Sequence, residues 1–414
     1  MTPSVIKVVS MSDEDKKLKK IALLVSCATI LQVAESFFPQ IVPGVKLGLA
    51  NMIVLIALVN MGFRAAVEIA VMRTIISSLI LGTFLSPSFI LSFSSAITST
   101  LAMGLVYKTF SGGGKPLFSL IGISIIGAMA HNLTQISIVY LLLIKNTGVF
   151  MLLPWLGISS VITGWVTGVV ASQVCSRLER NRTKGGFKVP AAYSKKGPFV
   201  APKFNIGRYI SKDSHLHSLS PEIKILAIIA LAIIVVISEG FYEYFTVLAM
   251  LILVIAMTKI PVMRFFDGVK RLYLFIAFSF AIPMFFSYGG AIIMSFGVLK
   301  ITQDGLYHGS LFAFRLILLM IGAAVLIRTT SPQELAAGIK SLLRPFKFTG
   351  ISGDRVSRIV TSSLLAIPVL WENAHAFIKN YKIGKKKIKG LILALSSLIV
   401  MLYMKSEDDT LDLI

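Results

Sequence analysis

Long, continuous apolar runs constrain the fold of this chain more than any other feature. About 20 apolar residues are needed for a helix to cross a bilayer, and runs near that length recur along the 414 residues. Inside lipid every backbone polar group needs a partner within the chain, so spanning segments are helices or closed barrels. The runs do not alternate with polar residues, which favours helices over barrel strands. The sequence therefore predicts an all-α polytopic membrane protein.

The charge distribution also favours a membrane protein. The chain is 55% hydrophobic and 14% charged, whereas soluble domains carry roughly 25% charged residues. A net charge of +22 would suggest nucleic-acid binding in a soluble protein. Here the basic residues lie between apolar runs, as the positive-inside rule requires of cytoplasmic loops, so we expect no nucleic-acid partner. Cys27 and Cys175 lack metal-ligand spacing, and we expect both to pack between helices and no metal to be bound.

The apolar runs form two groups with a basic stretch between them. The first group predicts spans near 21–38, 47–61, 64–85, 89–107, 117–144 and 149–175, and the second predicts spans near 222–238, 241–257, 271–287, 305–327 and 388–404. The predicted domains are a cytoplasmic N-terminus at 1–20, a membrane domain at 21–176, a basic cytoplasmic linker at 177–216, a second membrane domain at 217–404 and an acidic tail at 405–414. Lysines before the first span place the N-terminus in the cytoplasm.

Two spans carry a small residue at every fourth position. The rows are Ser92, Ala96, Thr100 and Gly104 in one span, and Ser160, Gly164, Gly168 and Ser172 in the other, with a weaker pair at Ala22 and Ser26. Such rows let two helices approach closely in lipid. They could dock a partner domain or pack within their own domain, and we expect the latter.

Polar residues within the first group of spans suggest a ligand site. The candidate ligand-binding residues are Gln32, Glu35, Lys46, Asn51, Arg73, His131, Asn132 and Gln135. Ionisable groups inside a membrane usually face a cavity or a partner. We expect these residues to converge on a pocket open to the exterior, suited to a small polar or anionic molecule.

A structural role is the alternative for the same polar residues. In that case the amides tie helices together and Glu68 pairs with Arg64 or Arg73. In the second group, Arg315 lies within a span, where it could be functional or, equally, structural through pairing with Asp304 or with backbone carbonyls.

The region between the last two predicted spans is amphipathic and too polar to cross a membrane. Ser331, Pro332 and Glu334 predict a capped helix start, and Arg344–Pro345 predicts its end. A second amphipathic helix is predicted from about residue 353. Such helices suit the membrane surface or the groove of a cytoplasmic partner. Because no Walker motif is present, an ATPase would have to be a separate chain.

Motifs in the two membrane domains resemble two families. The first domain, residues 20–176, resembles the Gx transporter family, often labelled heptaprenyl diphosphate synthase component I, which looks like the six-helix substrate-binding S component of energy-coupling factor transporters. The motifs that carry this resemblance are Glu35–Pro39, Pro43–Asn51, Gly62–Arg64 and Ala130–Leu133. The second domain, residues 215–404, resembles the transmembrane T component of the same transporters. Its matching motifs are His217–Lys224, Thr329–Pro332 and Leu335–Phe346.

The resemblance to T components implies two cytoplasmic coupling helices, at about 331–384, that contact an ATPase pair. The residues expected to couple to the ATPases are Ser331, Glu334, Arg344, Pro345, His375, Lys379, Lys382 and Gly384. The family usually ends the second helix with Gln-x-Ala-Arg-Gly, whereas this chain reads Asn-Tyr-Lys-Ile-Gly at 380–384. Lys382 cannot copy the forked contact of an arginine, so the strength of ATPase coupling stays open.

Together the resemblances imply a fused transporter subunit in a bacterial cell membrane. It would take up a small organic molecule such as a vitamin, a flavin or an isoprenoid-type precursor. We expect no cofactor on this chain and no enzymatic activity, because separate ATPase subunits would use the ATP. Two alternatives remain: a membrane component of prenyl diphosphate synthesis, which the family label suggests, and a membrane scaffold that recruits a partner.

Overall fold

The computed structural model describes residues 12–36, 48–110, 118–184, 208–287, 289–296, 299–345, 352–380, 396–401 and 403, and it is mainly helical. In the N-terminal half, residues 12–184, the helices are α1 (Asp13–Glu35), α2 (Leu49–Met61), α3 (Phe63–Leu81), α4 (Pro87–Phe110), α5 (Leu120–Ile138) and α6 (Leu153–Lys184). In the C-terminal half, residues 208–403, they are α7 (His215–Ser218), α8 (Pro221–Ile237), α9 (Phe241–Met257), α10 (Asp267–Arg271), α11 (Tyr273–Phe286), α12 (Gln303–Thr329), α13 (Pro332–Leu342) and α14 (Gly353–Asn380).

Several of these helices are long and apolar enough to cross a membrane. In the part of the chain that the structure describes, four pass this test on length and composition: 87–109, 120–144, 147–180 and 303–329. A bent pair, Val262–Lys270 and Tyr273–Phe286, makes a fifth if it is one span. Helices α2 and α9 are apolar but shorter. These helices support the prediction of a multi-pass, all-α membrane protein; the spans and their orientation stay predictions.

Both rows of small residues pack against helices of the N-terminal half, as expected from the sequence. A Cβ added at Gly164 would lie 2.6 Å from the Ile125 Cα, and one added at Gly168 would lie 2.6 Å from the Ile121 Cα. Helix α6 therefore approaches α5 backbone to backbone. On α4, a Cβ at Gly104 would clash with the Phe63 ring of α3. Both rows thus serve contacts between neighbouring helices of one bundle.

The C-terminal half contains a small antiparallel hairpin that the sequence analysis did not predict. Strands β1 (Ile292–Phe296) and β2 (Leu299–Thr302) precede α12 directly. Thr302 caps that helix by accepting a hydrogen bond from the Gly305 N–H at 3.1 Å. Ile292 is 56% exposed, so the hairpin does not depend on a buried core. Its strands are too short for their alternation to stand out from the neighbouring apolar runs.

One end of the N-terminal bundle lies along the whole of α12. The α5–α6 connection reaches the start of α12, because the Asn146 amide donates to the Ser287 hydroxyl at 3.0 Å, and the Ser287 carbonyl bonds Thr302. The α3–α4 connection reaches the other end, where Gly82 packs on Arg208 and the Ile210 N–H donates to the Arg328 carbonyl. A helix of 27 residues is about 40 Å long. Two helix connections at the same end of the N-terminal bundle therefore contact opposite ends of α12. The axis of α12 thus runs across that end of the bundle.

Arg315 anchors this arrangement near the middle of α12 and is 1% exposed. Its guanidinium donates to the Tyr244 hydroxyl at 2.7 Å, to the Ser238 carbonyl at 3.0 Å, and to the Leu142 and Leu143 carbonyls at 3.4 Å each. The last two carbonyls belong to a π-helical turn, Val139–Ile144, that continues α5. The expected pairing with backbone carbonyls is thus confirmed. We call this region, with the Asn146–Ser287 bond, the α12 contact.

The last helix of the N-terminal half is longer than the predicted span. Helix α6 continues to Lys184, into the region expected to be a linker from residue 177. Leu178 is 1% exposed and extends the apolar face of α6 by one more turn, although the local sequence is strongly charged. The predicted span at 388–404 is described only at residues 396–401 and 403, which are helical.

Candidate substrate-binding site

Arg73 is the centre of the polar cluster in the N-terminal half. It lies on α3 and is 4% exposed. One terminal nitrogen donates to the Gln32 Oε1 at 2.9 Å and the other to the Asn51 Oδ1 at 2.5 Å. The cation is therefore held between α1 and α2 by two neutral amides. Its Nε is buried and has no hydrogen-bond partner among the described residues, which leaves one strong donor for a ligand.

Glu35 supplies the opposite charge at the end of α1. Its carboxylate accepts a hydrogen bond from the Gly48 N–H at 2.7 Å, directly before α2 begins. Gly48 has a φ of +74°, a conformation that favours glycine, and this turn presents the N–H to the carboxylate. A carboxylate beside a helix N-terminus is also favoured by the helix dipole. The cluster thus offers a cation and an anion on adjoining helices.

Helix α5 contributes residues with different roles. The Asn132 amide nitrogen donates to the Leu156 carbonyl at 3.1 Å and to the Ser160 hydroxyl at 2.8 Å, so it ties α5 to α6. This contact favours the structural role for Asn132. One turn further, the Gln135 Nε2 lies 3.2 Å from the His131 Nε2. The Gln135 Oε1 is buried without a partner among the described residues and remains available as an acceptor.

Six of the eight predicted ligand residues line one small void of about 40 Å³: Gln32, Glu35, Asn51, Arg73, His131 and Asn132. A void of this size holds about one water molecule, so an organic ligand requires the site to open. Gln135 lines a larger neighbouring cavity, which Gln32 and Glu35 also border. Lys46 lies outside the described residues. In the described part of the chain, no group of three or more His, Cys, Asp or Glu side chains could hold a metal ion.

The larger cavity measures about 490 Å³ and lies between the two halves; we call it the interdomain cavity. Its N-terminal wall is the end of the bundle that carries Glu35 and Gln135. The opposite wall is formed by α11 and α12, including Phe275 and Ala324. The predicted pocket was expected to open to the exterior, whereas here the adjoining space faces the C-terminal half. The reason is the crossed packing of the two halves, which hydropathy does not encode.

Helix α14 of the C-terminal half contacts the two helices that carry much of the polar cluster. Against α1, the Ser26 hydroxyl donates to the Ser363 carbonyl at 3.2 Å, and the Ser363 hydroxyl donates to the Ala22 carbonyl at 3.0 Å. Against α3, Arg355 makes a forked pair with Glu68, at 2.6 and 3.1 Å. That hydrogen-bonded pair raises the pKa of Arg355 above its ordinary value.

A second ion pair lies near the start of α1, where Arg358 donates to Asp15 at 2.6 Å. We call the whole region the α14 contact. The alternative that paired Glu68 with Arg64 or Arg73 is wrong, because its partner comes from the other half of the chain. Local sequence patterns do not identify these partners; the signals present are the small residues Ala22 and Ser26 and the arginines at the start of α14.

Comparison with known proteins separates the same two halves. Residues 24–174 match the family model described as heptaprenyl diphosphate synthase component I, and residues 212–408 match the one described as cobalt transport protein. The two halves of the chain are thus similar to two different families. The resemblance inferred for each half is therefore confirmed.

Relatives of the C-terminal half are named energy-coupling factor transporter transmembrane protein EcfT. The one from Listeria innocua is 29% identical over 215 residues, which are 50% of this chain and 81% of that protein. The one from Thermosediminibacter oceani is 33% identical over 177 residues, 43% of this chain and 66% of the relative. The one from Bacillus subtilis is 26% identical over 212 residues, 49% and 80% respectively. The C-terminal half is thus similar to the transmembrane component of energy-coupling factor transporters.

The EcfT-like half contains the helix start that its sequence predicted. The Ser331 hydroxyl accepts from the Glu334 N–H at 3.3 Å, and the Glu334 carboxylate accepts from the Ser331 N–H at 2.7 Å, which completes a capping box. Glu334, Arg344 and Pro345 are exposed, as a docking surface requires. His375 and Lys379 belong to α14 by their backbone. Lys382 and Gly384 lie outside the described residues.

Proposed function

We propose that the chain is a membrane subunit of an energy-coupling factor transporter that takes up a small organic molecule. The N-terminal half binds the molecule at the Arg73 cluster, and the EcfT-like half couples that half to separate cytoplasmic ATPase subunits. One observation carries the proposal: α14, a predicted coupling helix, contacts α1 and α3 directly. Those helices carry Gln32, Glu35 and Arg73.

The cluster suits a polar or anionic group on the transported molecule. Arg73 Nε and Gln135 Oε1 are a buried donor and a buried acceptor that a ligand would satisfy. The crossed packing supports a cycle in which ATP-driven movement of α13 and α14 changes the tilt of the N-terminal half. In this cycle the polar cluster faces the exterior in one state and the C-terminal half in the other. ATP is used by the partner subunits, and this chain carries no cofactor and no nucleic acid.

Retention of small molecules by the purified full chain tests the binding half of the proposal. Mass spectrometry of the extracted ligand should show about tenfold less of it on Arg73→Gln, because a buried charge-assisted donor is lost. Arg64→Gln removes an exposed arginine from the same helix and should retain the wild-type amount. Equal retention by wild type, Arg73→Gln and Asn132→Ala would show that the cluster is not the site.

Copurification tests the coupling half of the proposal. ABC-type ATPase subunits should copurify with the wild-type chain, and Glu334→Arg together with Arg344→Glu should reduce their recovery. A membrane component of prenyl diphosphate synthesis is the second candidate, favoured by the name of the family matched at residues 24–174. Magnesium-dependent prenyl transfer by the purified chain, with no ATPase recovered, would select that candidate.

A further inference from the structure

The interdomain cavity has one cationic end. Arg208 and Arg328 both line it, next to Ser78 and Thr83. Arg328 is 4% exposed and pairs with Asp267 at 2.8 Å, while Arg208 and Arg264 stand close enough to repel it electrostatically. Three guanidinium groups thus lie in one region, and that of Arg328 pairs with the Asp267 carboxylate. The Arg328 Nε is buried and has no hydrogen-bond partner among the described residues, so the region can accept an additional anionic group.

Most of the remaining wall is apolar, although Gln32, Glu35 and Gln135 and several serines also border the cavity. Phe275, Phe278 and Ile282 of α11 line one side, and Ile144 with Val149 of the N-terminal half lines the other. The volume of about 490 Å³ lies within the range of roughly 300–1,000 Å³ that is usual for small-molecule sites. Such walls favour a hydrocarbon chain, whereas a fully polar molecule would leave most of its groups without partners.

We propose that the interdomain cavity binds an amphiphilic anion, with its phosphate or carboxylate at Arg208 and Arg328 and its apolar chain along α11. Gln32, Glu35 and Gln135 border the same cavity, but the proposed head-group site lies at Arg208 and Arg328 and does not require the Arg73 cluster to bind the transported molecule. Charge complementarity places the head group at Arg208 and Arg328, because both guanidinium groups line the same part of the cavity. A guanidinium group can also donate two parallel hydrogen bonds to two oxygens of a carboxylate or phosphate.

Binding of radiolabelled dodecyl phosphate to the full chain tests the proposal. The chain is placed in phosphatidylcholine nanodiscs, and protein-free nanodiscs measure partitioning into lipid alone. We expect saturable binding that Arg208→Gln weakens about tenfold, through loss of a charge-assisted contact. Ala324→Trp, which fills the apolar end, should weaken binding at least as much. Arg64→Gln is the matched exposed arginine and should bind as the wild type does.

Three outcomes would overturn the proposal. These are no saturable binding above the protein-free nanodiscs, equal binding by the wild type and both cavity variants, or equally tight binding of uncharged dodecanol. Arg208 lies before α7 and outside the helices. Arg208→Gln therefore still tests the proposal if Ala324→Trp does not fold. Loss of ligand retention on Arg73→Gln with unchanged dodecyl phosphate binding separates this site from the proposed transport site.

Phosphatidylglycerol added to the nanodiscs distinguishes two sources of the anion. Displacement of dodecyl phosphate would assign the site to an anionic lipid of the bilayer. Undiminished binding would assign it to a single-chain amphiphile that enters from outside the bilayer. Either result upholds an amphiphilic anion as the ligand.

Discussion

The two contacts between the halves use arginine in opposite ways. In the α12 contact, Arg315 is 1% exposed and bonds to three carbonyls and a phenol. In the α14 contact, the side chains of Arg355 and Arg358 are 31% and 55% exposed and pair with carboxylates. Breaking a buried, fully bonded charge is costly, whereas exposed ion pairs contribute roughly 0–1 kcal/mol. The Arg315 bonds of the α12 contact are therefore costly to break, whereas the ion pairs of the α14 contact can break and re-form beside the buried Ser26–Ser363 bonds.

Arg315→Met should have the largest effect, because it removes every bond of the α12 guanidinium. The Leu142 and Leu143 carbonyls lose their donor, and we expect a loss of about 3–5 kcal/mol in stability. Thermal unfolding of the purified chain would show a markedly lower midpoint. Arg315→Lys keeps the positive charge but not the forked guanidinium donors, so we expect a smaller loss of stability. An unchanged midpoint for Arg315→Met would remove the distinction between the two contacts.

Ser26→Leu should separate α1 from α14. The two serines allow close approach at this point, and added side-chain volume costs about 1–3 kcal/mol in a well-packed contact. Spin labels on Lys108 and Leu365, with both native cysteines replaced by serine, should report a longer and broader distance distribution. Thr98→Leu places the same change on an exposed part of α4 and should leave the distance unchanged.

The Glu68–Arg355 pair should contribute about 1 kcal/mol, since both side chains are partly exposed and screened by solvent. A double-mutant cycle with Glu68→Gln and Arg355→Gln isolates that coupling energy in thermal unfolding. Raising the salt concentration should reduce it, while the effect of Arg315→Met should persist. A coupling energy that does not depend on salt would contradict the assignment of this ion pair as solvent-exposed.

Asp15 provides the smallest test, through its titration. Hydrogen bonds from Ser12 and then from Arg358 lower the pKa of Asp15 below its ordinary value of 3.8. Because the charged form is favoured in the folded chain, its contribution is present above pH 3.8 and is lost as the pH falls through the lowered pKa. Carboxyl NMR should show that Ser12→Ala and Arg358→Ala each raise this pKa. An unchanged pKa in both variants would mean that these bonds do not stabilise the carboxylate.

Much of the fold follows from local sequence patterns. Continuous apolar runs located most helices, and the Ser331–Glu334 box located the start of α13 because both of its bonds lie within four residues. The crossed packing of the halves could not be predicted in this way. It depends on pairs far apart in the chain, such as Glu68 with Arg355 and Arg315 with Leu142, and hydropathy carries no information about such pairs.

The candidate site, too, can be predicted from the sequence only in part. Polar residues in apolar helices predicted a cluster, and the structure brings Gln32, Asn51 and Arg73 into direct contact. Their role in binding a ligand stays a prediction. Sequence alone could not separate Asn132, whose amide ties two helices, from Gln135, whose oxygen has no described partner. That distinction depends on which groups neighbouring helices present.

Because both halves belong to one polypeptide, each half experiences a fixed effective concentration of the other. A covalent link raises the effective concentration of one half for the other, so the ion pairs of the α14 contact re-form quickly after they break. Two separate chains would need a tighter interface to remain associated, and a tighter interface would release more slowly. The single polypeptide therefore permits these ion pairs to break and re-form repeatedly without loss of the partner.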